Sequence, residues 1–392
     1  MVTKRTGSKA LLALTAASMG LPALAPKSAR AQTQPEGFSA SYRHSQYSEG
    51  EQPATQSATG AVERFDITVQ QLHLQTPMFG NAAVTVDLVS ETLSGASPWF
   101  ITPGVDGEPV QTMSGATIDE QRDEINVATN LFSEHARTGM GFSYSTENDY
   151  ESFGVRFSHS SYSDDKNSTV DFAIGGSVDS ITPTQAEGIT RVIEEGKTNF
   201  YGSVGFSHVF NKTLLIGVSG SYSVFEGFLS DPYKLVFVAG DLLPDARPED
   251  RQQAAFDVRV RKYLPSYDVA LHSDYRYYTD TFGVVSNTLK LGAFKNIGSW
   301  QVSLGVRAYL QDSANFHANF FESERQDGYY SSDYRLSEFQ SLSFSAGIKK
   351  DFGFGAIRLN YENYESTGEG DTPNPGLVDF ELVSVGIEFS IK

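Results

Sequence analysis

Two Phe-Ser-His triplets, Phe157-Ser158-His159 and Phe206-Ser207-His208, carry the residue types that acyl-transfer chemistry uses. That chemistry needs a hydroxyl within hydrogen-bond reach of an imidazole, and a third group to orient the ring. Both triplets lie in stretches that alternate apolar and polar residues with period 2, so adjacent side chains point to opposite faces. His159 falls on the face of Val155 and Phe157, and His208 on that of Val204, Phe206 and Phe210, while Ser158 and Ser207 face the other way. Neither adjacent Ser–His pair can meet, and the two histidines read as anchors at an apolar–polar boundary. The acidic runs Glu147-Asn148-Asp149-Tyr150-Glu151-Ser152 and Ser163-Asp164-Asp165-Lys166-Asn167 lack the spacing of a calcium loop and read as solvated loop charge. No metal or cofactor site is expected, and catalytic residues are expected to be none.

The elements that carry these residues are strands. Asp171–Val178 sorts Phe172, Ile174, Gly176 and Val178 from Asp171, Ala173, Gly175 and Ser177, and Trp300–Leu310 sorts Trp300, Val302, Leu304 and Val306 from Gln301, Ser303, Gly305 and Arg307. Sixteen such strands can be laid out between residues 37 and 391. Short helical turns are expected only near 190–196 and 248–252. The links alternate in length: brief ones such as 77–81 and 211–213, and long ones over 94–120, 181–197, 226–250 and 312–333. Tight turns at one rim and extended loops at the other predict an all-β, antiparallel transmembrane barrel with periplasmic turns and extracellular loops.

Residues 1–31 carry three lysines and arginines ahead of an apolar run and end in Ala29-Arg30-Ala31, the pattern of a secretory leader cleaved near Ala31. The barrel then occupies 32–392. Without the leader, 25 basic residues face 48 acidic ones, a net charge of −23, which excludes nucleic acid as a partner. The absence of cysteine excludes thiolate metal sites and covalent haem, so the expected cofactor complement is none. The segment Ser384–Ile391 places Gly386, Phe389 and Ile391 in a spacing that resembles the C-terminal insertion signal of bacterial outer-membrane barrels, with Lys392 departing from its usual terminal aromatic. Outer-membrane lipids and the barrel-assembly machinery are therefore the expected partners, in a Gram-negative bacterium.

In the loop 94–120, Ser94-Gly95-Ala96-Ser97 and Ser114-Gly115-Ala116-Thr117 bracket a Pro- and Gly-rich insert. Gly95 and Gly115 read as hinges, or as the feet of a loop that folds into the mouth and narrows it. On the polar strand faces, Asp66, Asp87, Glu91, Glu124, Asp171 and Asp179 form a mainly acidic lumen wall. Arg259, Arg261, Arg276, Lys290, Arg307, Lys349 and Arg358 form a mainly basic wall facing it. Two readings stay open: a transverse field across an aqueous pore, or ion pairs that stiffen or plug the barrel.

The strand Arg64–Leu74, the brackets Ser94–Trp99 and Met113–Ile118, and the run Glu147–Ser152 resemble the outer-membrane barrels grouped as domain-of-unknown-function family 3570. That resemblance implies a barrel over the whole mature chain. It also implies a context beside flavin transferases and small lipoproteins. The expected function is a pore or conduit for small polar solutes without chemistry of its own. The alternatives are a sheath for a periplasmic partner, such as a flavin-bearing lipoprotein in extracytosolic electron transfer, and a barrel enzyme.

Overall fold

The strands expected from alternation close on themselves in a computed structural model that describes residues 34–58, 62–113, 118–185, 189–368 and 374–391. The leader, its cleavage point and Gly115 lie outside the described residues. Sixteen strands make the barrel. They run β1 (Phe38–Glu49), β2 (Asp66–Pro77), β3 (Ala82–Gly95), β6 (Ile118–Phe132), β7 (Ala136–Thr146), β8 (Tyr150–Tyr162), β9 (Ser168–Ile181) and β10 (Glu195–Asn211). The ring continues through β11 (Leu214–Gly227), β14 (Asp250–Leu264), β15 (Val269–Asp280), β16 (Val285–Ile297), β17 (Trp300–Gln311), β18 (Phe339–Asp351), β19 (Gly355–Gly368) and β20 (Phe380–Ile391). β20 pairs back onto β1 antiparallel from Phe38↔Ile391 to Glu49↔Phe380, so the sheet has no free edge. Two further hairpins, β4 (Pro98–Pro103) with β5 (Pro109–Met113) and β12 (Leu235–Val238) with β13 (Asp241–Pro244), stand in the long loops.

Alternation sets which side each residue takes. Directly paired residues share a face, and on β17 the even positions Trp300, Val302, Leu304, Val306 and Leu310 are exposed on the outside while Arg307 and Tyr309 look inward. Phe172 and Ile174 of β9, Phe200 and Phe206 of β10, and Val385 and Ile387 of β20 extend the outer apolar surface around the ring. No described helix is long and apolar enough to cross a membrane, and the strands do the crossing. The seven periplasmic turns contain two to five residues each. One of the two two-residue turns, Gly298-Ser299, relies on Gly298 at φ +60, a conformation that costs glycine nothing.

Local differences from the sequence reading have local causes. The stretches 190–196 and 248–252 form no helix; β10 begins at Glu195 and β14 at Asp250, because pairing with β9 and β11 satisfies those backbones. A short 3-10 turn forms instead at Tyr334–Leu336, where the Asp333 carboxylate accepts from the Arg335 amide, and β18 starts only at Phe339. Asp66 does not belong to the lumen. It pairs with Ser94 on the outer face at the long-loop end, while Phe65, Ile67 and Val69 turn inward and are buried with Leu93 and Leu382. Above the membrane the outer face meets water, so the polar residue goes out and the apolar ones pack inside.

Candidate functional site

Closure of a sixteen-strand ring places each strand across from the one eight positions on. β3 therefore faces β15, β6 faces β16 and β9 faces β19. Asp87, Glu91, Glu124, Asp171 and Asp179 all point inward on one arc, and the seven expected basic residues, Arg259 to Arg358, all point inward on the other. The ion pairs run along each arc, between strands one or two places apart or within one strand. Arg261 holds Asp274 bidentately at 2.7 and 3.0 Å, with Arg259 at 3.3 Å from the same carboxylate. Arg276 grips Asp257 at 3.0 Å, and Lys349 meets Glu388 at 2.9 Å with Arg358 at 3.8 Å. On the acidic arc, Asp87 meets His73 at 2.6 Å, Asp171 accepts from Ser160 at 2.6 Å, and Asp179 accepts from Ser152 at 2.7 Å beside Lys197.

Arg122 is the member that sequence reasoning passed over. It stands on the inner face of β6 among Glu91 at 3.3 Å, Glu124, and Glu147 at 3.8 Å. Its place two residues before Glu124 on one strand was the available signal. Arg137 and Arg156 also face inward on this arc, opposite Ser160 and Gly175. The wall is a mixed network with an acidic excess.

Solvent access divides the lumen by height. The Arg259 and Arg276 side chains are 60% and 47% exposed although they point inward, so water reaches them. Around β7 to β11 many inner positions are small, among them Gly141, Ser143, Gly154, Gly175, Ser203 and Gly217, with the Tyr201 ring lying over Gly175 and Arg156 beside it. Near the long-loop end the same faces are dry: Glu91, Glu120 and Asp149 are at most 2% exposed.

The dryness comes from a cap built by the loops. The β12–β13 hairpin reaches from one side of the mouth, and β12 packs against β4 from the other. Val236 and Val238 are buried with Tyr330, and Leu243 and Phe321 close around them. Tyr233 donates to Asp149 in the turn between β7 and β8 and accepts from the Thr184 amide at 3.0 Å. A charged knot locks the centre: Arg247 bonds Asp245 at 2.7 Å and Asp333 at 2.9 Å, and Arg335 grips Asp333 with Asp231 at 3.7 Å. Burial would raise the Asp333 carboxyl, but Arg335, Lys234 and Arg247 outweigh it and hold it well below the usual range. Burial pushes His317, beside this knot, down to about 4, so the ring is neutral. Burial pushes the Glu147 carboxyl up to about 8, against the pull of Arg122. A cleft of about 370 Å³ lined by Pro103, Phe237, Phe320 and Phe321 remains between the hairpin tips.

Gly95 sits at φ +122, and a Cβ there would overlap the Arg64 carbonyl. It turns the chain out of β3 into the β4–β5 hairpin, which stands in the mouth. Gly386 faces inward beside Arg43, and Phe389 and Ile391 face outward beside Ala40 and Phe38.

The histidines meet serines that adjacency could not reveal. Ser158 and Ser207 face away, but the His159 Nε2 lies 3.0 Å from the Ser161 Oγ and its Nδ1 2.9 Å from Thr138, and the His208 Nδ1 lies 2.9 Å from Ser168. These contacts join residues two apart or on neighbouring strands, on the outer face by the periplasmic rim. A hydroxyl, where a triad has a carboxylate or amide, orients His159. Among the described residues no three His, Asp or Glu are grouped to hold a metal ion.

A closed, apolar-jacketed barrel with a polar lumen, short turns at one rim and long loops at the other is an outer-membrane β-barrel. Within that class the chain belongs to the family described as protein of unknown function DUF3570, whose model matches residues 11–386. Among solved structures it is similar to a bacterial polysaccharide outer membrane secretin, at 10% identity and a TM-score of 0.48, over 91% of this chain and 99% of that one. It is also similar to OccD3 and OprD of Pseudomonas aeruginosa, at 8% and 9% identity and TM-scores of 0.43, over 93% of this chain and 94% and 97% of theirs. No curated protein matches the sequence.

Proposed function

We propose that the chain is a conduit for small polar solutes, with no chemistry of its own, whose outer mouth its own loops close. The observation that carries this reading is the wet lower lumen, where inward-pointing Arg259 and Arg276 stay about half exposed. Planar-bilayer conductance tests it. The full chain is expected to conduct poorly, and a variant with Leu235–Pro244 replaced by a short Gly-Ser link is expected to conduct at least several-fold better. If removal of the hairpin leaves the current unchanged, the conduit reading fails.

A second reading is favoured by the cross-mouth contacts of Tyr233 with Asp149 and of β12 with β4. A barrel shut outside and free of long loops at its periplasmic rim is a vessel for a periplasmic partner, such as a lipoprotein. Co-purification followed by mass spectrometry separates the two, since a conduit needs no stoichiometric companion.

A further inference from the structure

The lysines and arginines of the barrel strands almost all face the lumen. The exceptions among the described residues are Lys262 of β14, Lys295 of β16 and Lys350 of β18, which pair with the outward residues Leu271, Val302 and Trp300. All three stand at the short-turn ends of their strands. The outward strand carboxylates, Asp66, Asp123, Glu151, Glu226, Glu365 and Glu381 among them, stand at the long-loop ends. A chain with a net charge of −18 thus presents only positive strand charge to the lipid at its periplasmic rim.

The three lysines form a level row. On β15, Lys262 is opposite Leu271 and Lys295 opposite Val269, two residues nearer the turn; on β17, Lys295 is opposite Val302 and Lys350 opposite Trp300, again two residues nearer the turn. Barrel strands lie about 4.8 Å apart and tilt by about 35 to 45°, so points at one height on strands two apart differ by about 7 to 10 Å along the strand. A two-residue step supplies about that offset. The tilt has the required sense, because the in-register row that leaves Lys262 climbs through Leu304 and Val383 to Thr92 at the long-loop end of β3. Neighbouring lysines therefore stand about 12 to 14 Å apart around the rim.

Their own contacts leave the row its charge. Lys350 lies over the half-exposed Trp300 ring, 4.7 Å from its centroid, and donates to the Ser299 hydroxyl; Lys262 donates to Thr213 at 3.1 Å, and Lys295 is exposed. None of the three is ion-paired among the described residues. At the same rim, Asp268 accepts from the Tyr263 hydroxyl at 2.6 Å and Asp351 from the Gly353 amide at 2.7 Å.

We propose that this arc of the rim, from β14 to β18, is a docking surface for anionic phospholipid, whose headgroup phosphates lodge between neighbouring lysines beside Trp300. An ammonium on a flexible stem suits a phosphate, and an indole ring suits the headgroup level of a bilayer. The surface goes beyond the conduit reading, and holds whether or not the lumen conducts.

Trp300 reports on the site directly, because the other tryptophan, Trp99, lies in the β4–β5 hairpin of the cap. The full chain is placed in vesicles of phosphatidylglycerol and phosphatidylcholine, with one or the other lipid spin-labelled on its acyl chain near the headgroup. Quenching of tryptophan fluorescence then gives the relative affinity of the two lipids at Trp300, over a constant background from Trp99. A preference for phosphatidylglycerol of about fivefold or more is expected. It should fall to near unity in Lys295→Gln with Lys350→Gln, and persist in Lys290→Gln, the same change inside the lumen. A further measurement needs no variant: in the wild type the preference should collapse at 1 M salt, where the Debye length is ~3 Å. Equal quenching by the two lipids would reduce the arc to a plain interfacial anchor and overturn the proposal. A preference that survives the double substitution or high salt, or that Lys290→Gln removes as fully, overturns it as well.

Discussion

A charge placed at Val306 tests the sidedness of the whole barrel. Val306 lies midway along β17 on the outer face, between outward Leu291 on β16 and Phe344 on β18. An arginine there must carry its guanidinium through hydrocarbon, at a cost of about 2 to 4 kcal/mol near the bilayer midplane. That corresponds to roughly a 30- to nearly 1000-fold fall in the folded fraction relative to the unfolded one. Ser303→Arg puts the same group three residues away on the inner face, between Phe294 and Gly347, from which a long side chain extends into the polar lumen. Its cost should stay within about 1 kcal/mol, as for ordinary solvent-facing substitutions. Urea titration of folding into vesicles of fixed lipid composition, followed by the heat-dependent gel mobility of closed barrels, measures both. Equal midpoints, or the greater loss for Ser303→Arg, would refute the face assignment that underlies the lumen description.

The cap gives a pH prediction with a definite sign. Glu147 titrates near 4.5 when unfolded and is pushed up to about 8 in the cap, so the folded cap retains a proton that the opened chain has released. The contribution of Glu147 to cap stability is therefore full below about pH 4.5 and falls as pH rises to about 8, by up to about 1.4 kcal/mol per unit. Protease sensitivity of residues 226–250 should rise over that window, and Glu147→Gln should flatten the rise. At the hinge, Gly95→Ala forces φ +122 and a clash with the Arg64 backbone, whereas Gly107→Ala at the hairpin tip meets nothing within 4 Å. Urea unfolding should show a loss of several kcal/mol for the first, and about 1 for the second. Asp333→Asn leaves Arg247 and Arg335 short of a buried partner and should cost about 3 to 5 kcal/mol of cap stability, read as faster proteolysis of 312–338. On intact cells, protease should reach the long loops and spare the two-residue turns at 212–213 and 298–299; cleavage confined to those turns would invert the topology.

The barrel was legible because it is a membrane object. Lipid outside and water inside impose alternation on every crossing strand, so Phe172, Leu304 and Arg307 announce their faces residue by residue. The rule lapses where the surroundings change. At Asp66 the strand has risen above the hydrocarbon and its inner neighbours are buried by the cap, so the polarity reverses without any break in the period. The cap itself was illegible for a different reason. Asp231, Asp245, Arg247 and Asp333 are ordinary loop charges in the sequence, and only contacts between loops as far apart as Arg247 and Asp333 make them one buried knot. Composition placed the acidic and basic arcs opposite each other, but pairing inside each arc, as in Arg261 with Asp274, depends on register, which alternation alone does not set.

Arg64 has a bearing on how the cylinder could open sideways. Just before β2, and only 7% exposed, it donates to the carbonyls of Pro375 at 2.7 Å and Gly376 at 3.3 Å, which precede β20. It therefore ties the first long loop to the last one directly above the line where the two ends of the chain join. The apolar cluster below it, Phe65, Ile67 and Val69 with Leu382, Tyr47 and Phe380, straddles the same line. Parting β1 from β20 towards the bilayer would strip a guanidinium of its carbonyls and expose that cluster at once. The seam where β20 meets β1 is thus stitched from inside, so a lateral opening there has to break both the Arg64 bonds and the cluster.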